Sequence, residues 1–170
     1  MMIPTFKTLF EDKKNRARVL ILGPYTPPEC KEKLERLKTT LQEKGFFETH
    51  LVSDFPDEEI FHPSSLDIHF QRKSFYYIKY WAQILIFILF QGCSNNGVLR
   101  ELTYMVDHAI DKCDCSGILR SKEMRLSSLI RADIEEHRIL ESDFENEKDL
   151  QELAFATCTS ILYSLFDIFE

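Results

Sequence analysis

Glycine is scarce in this chain, five in 170 residues, and the motifs that depend on it are missing. No Gly-x-Gly-x-x-Gly and no Gly-x-x-x-x-Gly-Lys-Ser/Thr occurs, which removes the main support for a dinucleotide fingerprint or a Walker-type phosphate loop. Gly-x-Ser-x-Gly is absent too, so a hydrolase built on a nucleophile elbow is not expected. Positive charge is in short supply: 21 Lys and Arg against 28 Asp and Glu leave a formal net charge of −7. Nucleic-acid binding normally needs a basic stripe. The basic runs here, Lys13–Arg18, Arg72–Lys73 and Arg120–Arg125, are short and read as solvated surface, so nucleic acid is not expected as a partner. No apolar run approaches the ~20 residues that cross a bilayer, and no membrane partner is expected. The N-terminal stretch MMIPTFKTLFEDKKNRARV turns charged too early for a signal peptide. Five cysteines, an odd number in mostly apolar or helical contexts, suit a reducing cytosol, hence a cytoplasmic protein. Cys113-Asp114-Cys115 is the one close pair; without a second pair it reads as two thiols at a helix end rather than a metal site.

What the chain does have is apolar bulk. At 44% hydrophobic, with 14 phenylalanines, it suits one globular domain with a sizeable core. Residues 1–16 read as an arm or short leading helix, and 17–170 as a single α/β domain. The stretch around which the rest is arranged runs from Trp81 to Met105. Ile84–Phe90 is continuously apolar; a run that short, rich in Ile and Phe and followed by Gly92, reads as a central parallel strand buried on both faces. Arg18–Gly23 (RVLILG) reads as a first strand of the same kind. Thr26 and Glu29 make a capping box with Pro27 at the first helical position, opening a helix with the stripe Leu34, Leu37, Leu41 that stops at Gly45. His50–Ser53 is a short strand ending at Asp54. A capping-box-like pair, Ser64 and Asp67, opens a helix to about Ala82, with Phe70, Tyr77 and Trp81 on one face. After the central strand a helix runs to about Lys112, with Val98, Leu102, Met105 and Ala109 turned to the sheet. Strands are then expected at Ser116–Leu119 and Arg138–Ser142, with a short helix over Leu126–Ile134 between them. Asn146 caps a long last helix that buries Leu150, Leu153, Ala154, Thr157, Ile161 and Leu165.

Strands alternating with helices imply an α/β, flavodoxin-like, doubly wound three-layer sandwich: a five-stranded parallel sheet of order 2-1-3-4-5. In such sheets ligands bind outside the carboxyl ends of the strands, where the order reverses and helix N-termini converge. That places Gly23, Pro24, Tyr25, the end of the second strand at Asp54, and Gln91–Gly97 around one mouth. Gly23-Pro24 is a sterically light turn suited to close approach of a ligand, or simply a strand end. In the loop, Gly92, Ser94, Asn95, Asn96 and Gly97 offer hydroxyl, amide and backbone N–H groups to a sugar or an anion; Asn96 is equally suited to be an N-cap. Glu101 stands one turn beyond Gly97, on a stripe with Tyr104 and His108. A carboxylate near a helix N-terminus is expected to stay ionised, as a nucleophile or a hydroxyl-binding group, the plain alternative being a surface glutamate.

These residues also carry a resemblance. Ile21-Leu22-Gly23-Pro24 after an N-terminal strand, then an apolar strand, a polar loop and a Gly-x-x-x-Glu helix (Gly97 to Glu101), resembles the nucleoside 2-deoxyribosyltransferase family over about Val19–Ala109. TIR-type NAD hydrolases share related architecture. The resemblance implies a small-molecule nucleoside or nucleotide as partner, no cofactor, and a catalytic glutamate that attacks the anomeric carbon as in retaining glycosidases; the matching residue is Glu101. It is compatible with a homo-oligomer. The chain departs from the family at two places where members carry aspartates: just before the central strand it has Gln83, and six residues ahead of the glutamate it has Asn95. An amide can hydrogen-bond a sugar or base but cannot protonate a leaving base, a task left to Asp54 or His108. Two readings follow: an enzyme that cleaves or transfers an N-glycosidic bond, or a non-catalytic TIR-like module that senses a ligand or joins a protein.

Overall fold

The computed structural model describes residues 5–57 and 66–167. Five parallel strands, β1 (Val19–Leu22), β2 (Thr49–Leu51), β3 (Ile84–Leu89), β4 (Ser116–Ser121) and β5 (Leu140–Phe144), form one sheet of order β2-β1-β3-β4-β5. This is the doubly wound order that the alternation of elements implied. The continuous apolar runs became the inner strands because each buries both its faces: every residue of β1 and β3 is buried. Alternate residues serve opposite layers. Val19, Ile21, Ile84, Ile86 and Ile88 meet helices α1 (Phe6–Arg16), α2 (Pro28–Glu43) and α6 (Glu147–Asp167). Leu20, Leu22, Leu85, Phe87 and Leu89 meet α3 (Leu66–Tyr76), α4 (Asn96–His108) and α5 (Ser128–Glu136).

Several boundaries differ from the sequence reading, each for a local reason. The Thr26–Glu29 capping box does not form: the Thr26 carbonyl accepts the Ser94 N–H at 2.9 Å, and α2 begins at Pro28 without a side-chain cap. Beyond Leu51 the Asp54 carboxylate accepts the Leu51 N–H at 2.8 Å and closes a short 3-10 turn over Val52–Asp54, ending β2 early. Helix α3 continues through a wider π turn, Tyr77–Trp81, which the Ala82 N–H to Tyr77 C=O bond closes. The Ser64–Asp67 pair lies outside the described residues. Helix α4 stops at His108, and a 3-10 segment, Ile110–Cys115, leads into β4. Strand β5 starts two residues late because Arg138 takes a left-handed conformation (φ 52°) at the end of α5. Asn146 caps α6 as expected, accepting the Asp149 N–H at 2.9 Å.

The cysteines need a correction. Cys30 and Cys93 form a disulfide, with a separation of 63 positions in sequence and 6.3 Å between their Cα atoms. The strand order, which sets the β1–α2 and β3–α4 loops side by side, brings the pair together. Cys113, Cys115 and Cys158 are free. Among the described residues no group of His, Cys, Asp and Glu is placed to hold a metal ion, and no helix is long and apolar enough to cross a membrane.

Candidate functional site

At the carboxyl ends of β1 and β3 a cavity of about 470 Å³ opens between the β1–α2 loop, α3 and the start of α4. Its floor and walls are Gly23, Pro24, Tyr25 and Thr26 from the first loop, Ser94, Gly97 and Glu101 from the second, and Phe70 and Gln71 from α3. Gly23 is needed for packing as much as for access: a Cβ there would stand 2.6 Å from the Leu34 side chain. A Cβ on Gly97 would meet nothing, so its absence leaves the α4 N-terminus open to the cavity.

Glu101 is buried, 9% exposed, on the face of α4 that looks across to α3. There the Ser74 hydroxyl, itself fully buried, donates a hydrogen bond to the Glu101 carboxylate. Burial pushes the Glu101 carboxyl up to about 7, with the Ser74 bond opposing the shift. Glu101 is therefore not the surface residue of the plain alternative, and burial opposes the ionisation that its place near a helix N-terminus was expected to favour. Desolvation outweighs the helix dipole because the group lies beyond the first turn, where the dipole has faded. A carboxyl poised near neutrality in a cavity is a recurrent feature of catalytic sites.

Tyr25 faces the same space. Its ring meets Phe70 edge-on at 5.5 Å and carries Lys31 Nζ 5.3 Å from its centroid. The phenol oxygen accepts the Ser53 N–H at 3.3 Å. Burial raises the phenol above its usual range, and the Glu101 and Asp54 carboxylates add to the effect.

The cavity thus gathers Gly23, Pro24, Tyr25, Ser94, Gly97 and Glu101. Four other expected site residues lie elsewhere. Asp54 is held by Lys38 Nζ at 3.0 Å and by the Leu51 backbone. Gly92 makes an exposed left-handed turn (φ 80°). Asn95 turns back into its own loop, accepting the Phe90 N–H at 3.2 Å and donating to the carbonyls of Phe90 and Cys93. Asn96 is the first residue of α4 rather than its cap, and it lines a shallower neighbouring cavity with Phe75, Tyr104, Asp107 and His108. That outer cavity shares Gln71 and Arg100 with the inner one. Gln83, compared above with a family aspartate, accepts the Arg18 N–H at 3.0 Å at the amino end of the sheet, far from this mouth.

Sequence reading missed Ser74, Thr26, Phe70, Gln71 and Arg100. All except Thr26 and Arg100 come from α3, whose apolar pattern is poor. Ser74 did leave a trace: a small hydroxyl residue in the bulky segment Phe70–Trp81. Around it Lys73, also buried, donates to the Phe55 carbonyl and to Asp57 at 3.1 Å, while His69 meets Asp57 at 3.0 Å. These bonds pin the segment after β2 onto α3 and so fix the wall that carries Ser74.

No family model matches the chain, and no curated protein matches it. Among solved structures it is similar to that of the Clostridium botulinum CMP N-glycosidase BcmB. The TM-score is 0.57 and the identity 18%, covering 81% of this chain and 96% of that one. At that identity the likeness is one of fold.

Proposed function

We propose that the chain binds a nucleotide in the cavity at the carboxyl ends of β1 and β3 and cleaves its N-glycosidic bond, with Glu101 as nucleophile. The observation that carries this reading is Glu101 itself: a buried carboxyl in the wall of a switch-point cavity, oriented by Ser74, with burial pushing it up to about 7. The similar fold of a protein named as a CMP N-glycosidase supports the choice of chemistry. In the proposed step the ionised carboxylate attacks the anomeric carbon and the C–N bond breaks, its electron pair leaving with the base. The Tyr25 hydroxyl is the donor best placed to meet the charge developing on that base, and a proton from water completes its release. Water then attacks the glycosyl ester and frees Glu101. The α4 N-terminus with Ser94, and the Arg100 guanidinium at the rim, suit the phosphate.

A second reading has one observation in its favour. Among the described residues lining the cavity, Glu101 is the sole carboxylate and no histidine accompanies it, whereas glycosidases work with a carboxyl pair. This favours a ligand-sensing module that binds without turnover. Incubation with CMP, other nucleoside monophosphates, free nucleosides and NAD, followed by chromatography of released base, decides between the two. Release that Glu101→Gln abolishes is the expected result. Binding with no release from any of them establishes the second reading.

A further inference from the structure

Two loops that frame the cavity are joined covalently. Cys30 lies in the first turn of α2 and Cys93 in the turn after β3. The cavity's own lining flanks them: Thr26 sits just ahead of α2, and Ser94 directly follows Cys93. The Ser94 N–H to Thr26 C=O bond runs beside the disulfide and is the one backbone hydrogen bond between these two loops among the described residues. A single such bond contributes little net stability, so the covalent link dominates how firmly the loops are held together. The sheet itself does not need it, because β1 and β3 pair directly through four residues and bury every side chain.

We infer that the Cys30–Cys93 disulfide is a thiol-responsive latch on the cavity. Oxidised, it holds the β1–α2 loop against the β3–α4 loop and keeps Thr26, Ser94 and Gly97 in the geometry that binds a ligand; reduced, the mouth loosens and binding weakens. This regulation rests on the reading of the cavity as a nucleotide site.

The chemistry is two-electron thiol–disulfide exchange with a dithiol as reductant. A thiolate of the reductant attacks the Cys93 sulfur, which is half-buried while Cys30 is 3% exposed. The S–S bond breaks, its electron pair stays on the Cys30 sulfur, and the positive end of α2 favours the departing thiolate, which then takes a proton. The second thiol of the reductant resolves the mixed disulfide and frees Cys93. In sum the protein gains two electrons and two protons, and the dithiol becomes a disulfide. The remaining cysteines are poor competitors: Cys113 and Cys158 are buried, and burial raises both thiols as well as that of half-buried Cys115.

The test compares oxidised with dithiothreitol-reduced protein by amide hydrogen exchange, far-UV circular dichroism and CMP titration calorimetry. Reduction is expected to speed exchange at the Ser94 amide by about tenfold or more with the dichroism unchanged, and to weaken CMP binding about fivefold or more. The Cys30→Ser/Cys93→Ser double variant should behave as the reduced protein and ignore dithiothreitol. Equal Ser94 exchange in both forms, a double variant that still responds, or loss of dichroism on reduction would each overturn the latch; the last would make the disulfide a staple of the fold. Absence of CMP binding in both forms overturns CMP as the ligand and leaves the nucleotide reading to the wider ligand set, while Ser94 exchange still decides the latch.

Discussion

In the proposed reaction Glu101 is asked to do two things that pull against each other. As a nucleophile it must be ionised, and burial resists ionisation until about pH 7. Base release should therefore rise with pH and level off above about 7, as kcat profiles against pH will show. Glu101→Gln keeps the shape but removes charge and nucleophile; it should abolish release while holding CMP affinity within about tenfold, roughly 1.4 kcal/mol. In that reaction Ser74 acts through Glu101, as a positioning residue. Its hydrogen bond favours the ionised form, so Ser74→Ala should move the pH–rate profile to higher pH, and Ser74→Thr, which retains the hydroxyl, should move it back. An unmoved profile in Ser74→Ala would show that the bond does nothing for catalysis. Neither residue's burial was visible beforehand. The Gly97–Glu101 spacing singled out Glu101, but a glutamate five places into a run of mixed residues carries no sign of what lies across from it.

Among the elements, β3 bears the greatest load. It pairs with β1 on one side and β4 on the other, and Ile86 stands opposite both Ile21 and Gly117. Ile86→Asp places an uncompensated charge there, at several kcal/mol against a total stability of roughly 5–15; the protein should fail to fold, read as loss of the cooperative thermal transition. Gly117 shows why β4 admits α6 so closely: a Cβ there would stand 2.5 Å from Thr157 Cγ2. Gly117→Ala should cost about 1–3 kcal/mol by urea denaturation, and pairing it with Thr157→Ser, which deletes the opposing methyl, should recover part of that loss. Helix α3 is the element that composition described least. It presents Ser74, Lys73 and His69 inward together with Phe70, and this polar inner face spoiled the apolar periodicity by which a helix face is recognised.

For the molecule as a whole, Glu101 links stability to pH. Its folded-state value, about 7, lies above the ordinary 4.5. The folded protein therefore holds a proton that the unfolded chain has already released between those values, and stability falls as pH rises through that window. Its contribution is full below 4.5 and lost above about 7, in all roughly 3 kcal/mol. Urea denaturation of wild type and Glu101→Gln from pH 4.5 to 8 should show the variant gaining on the wild type as pH rises. Parallel curves would mean that the carboxyl reaches water.

The doubly wound architecture could be read directly from the chain, because a strand buried on both faces must be continuously apolar and a helix on the sheet must repeat near every third or fourth residue. Ile84–Leu89, Val19–Leu22 and the Leu34, Leu37, Leu41 stripe obey those local rules. The alternation of such segments leaves few ways to wind the sheet, and the order in turn locates the mouth at Gly23, Ser94 and Gly97. What lies around that mouth was decided by contacts between residues far apart in sequence. Ser74 reaches Glu101 across 27 residues and Cys30 meets Cys93 across 63. Asn95 spends its amide on Phe90 and Cys93, and Asp54 is bound to Lys38 on α2. Burial, pKa and pairing are properties of a group's surroundings, and those surroundings are assembled only when the crossovers bring separate loops and helices together.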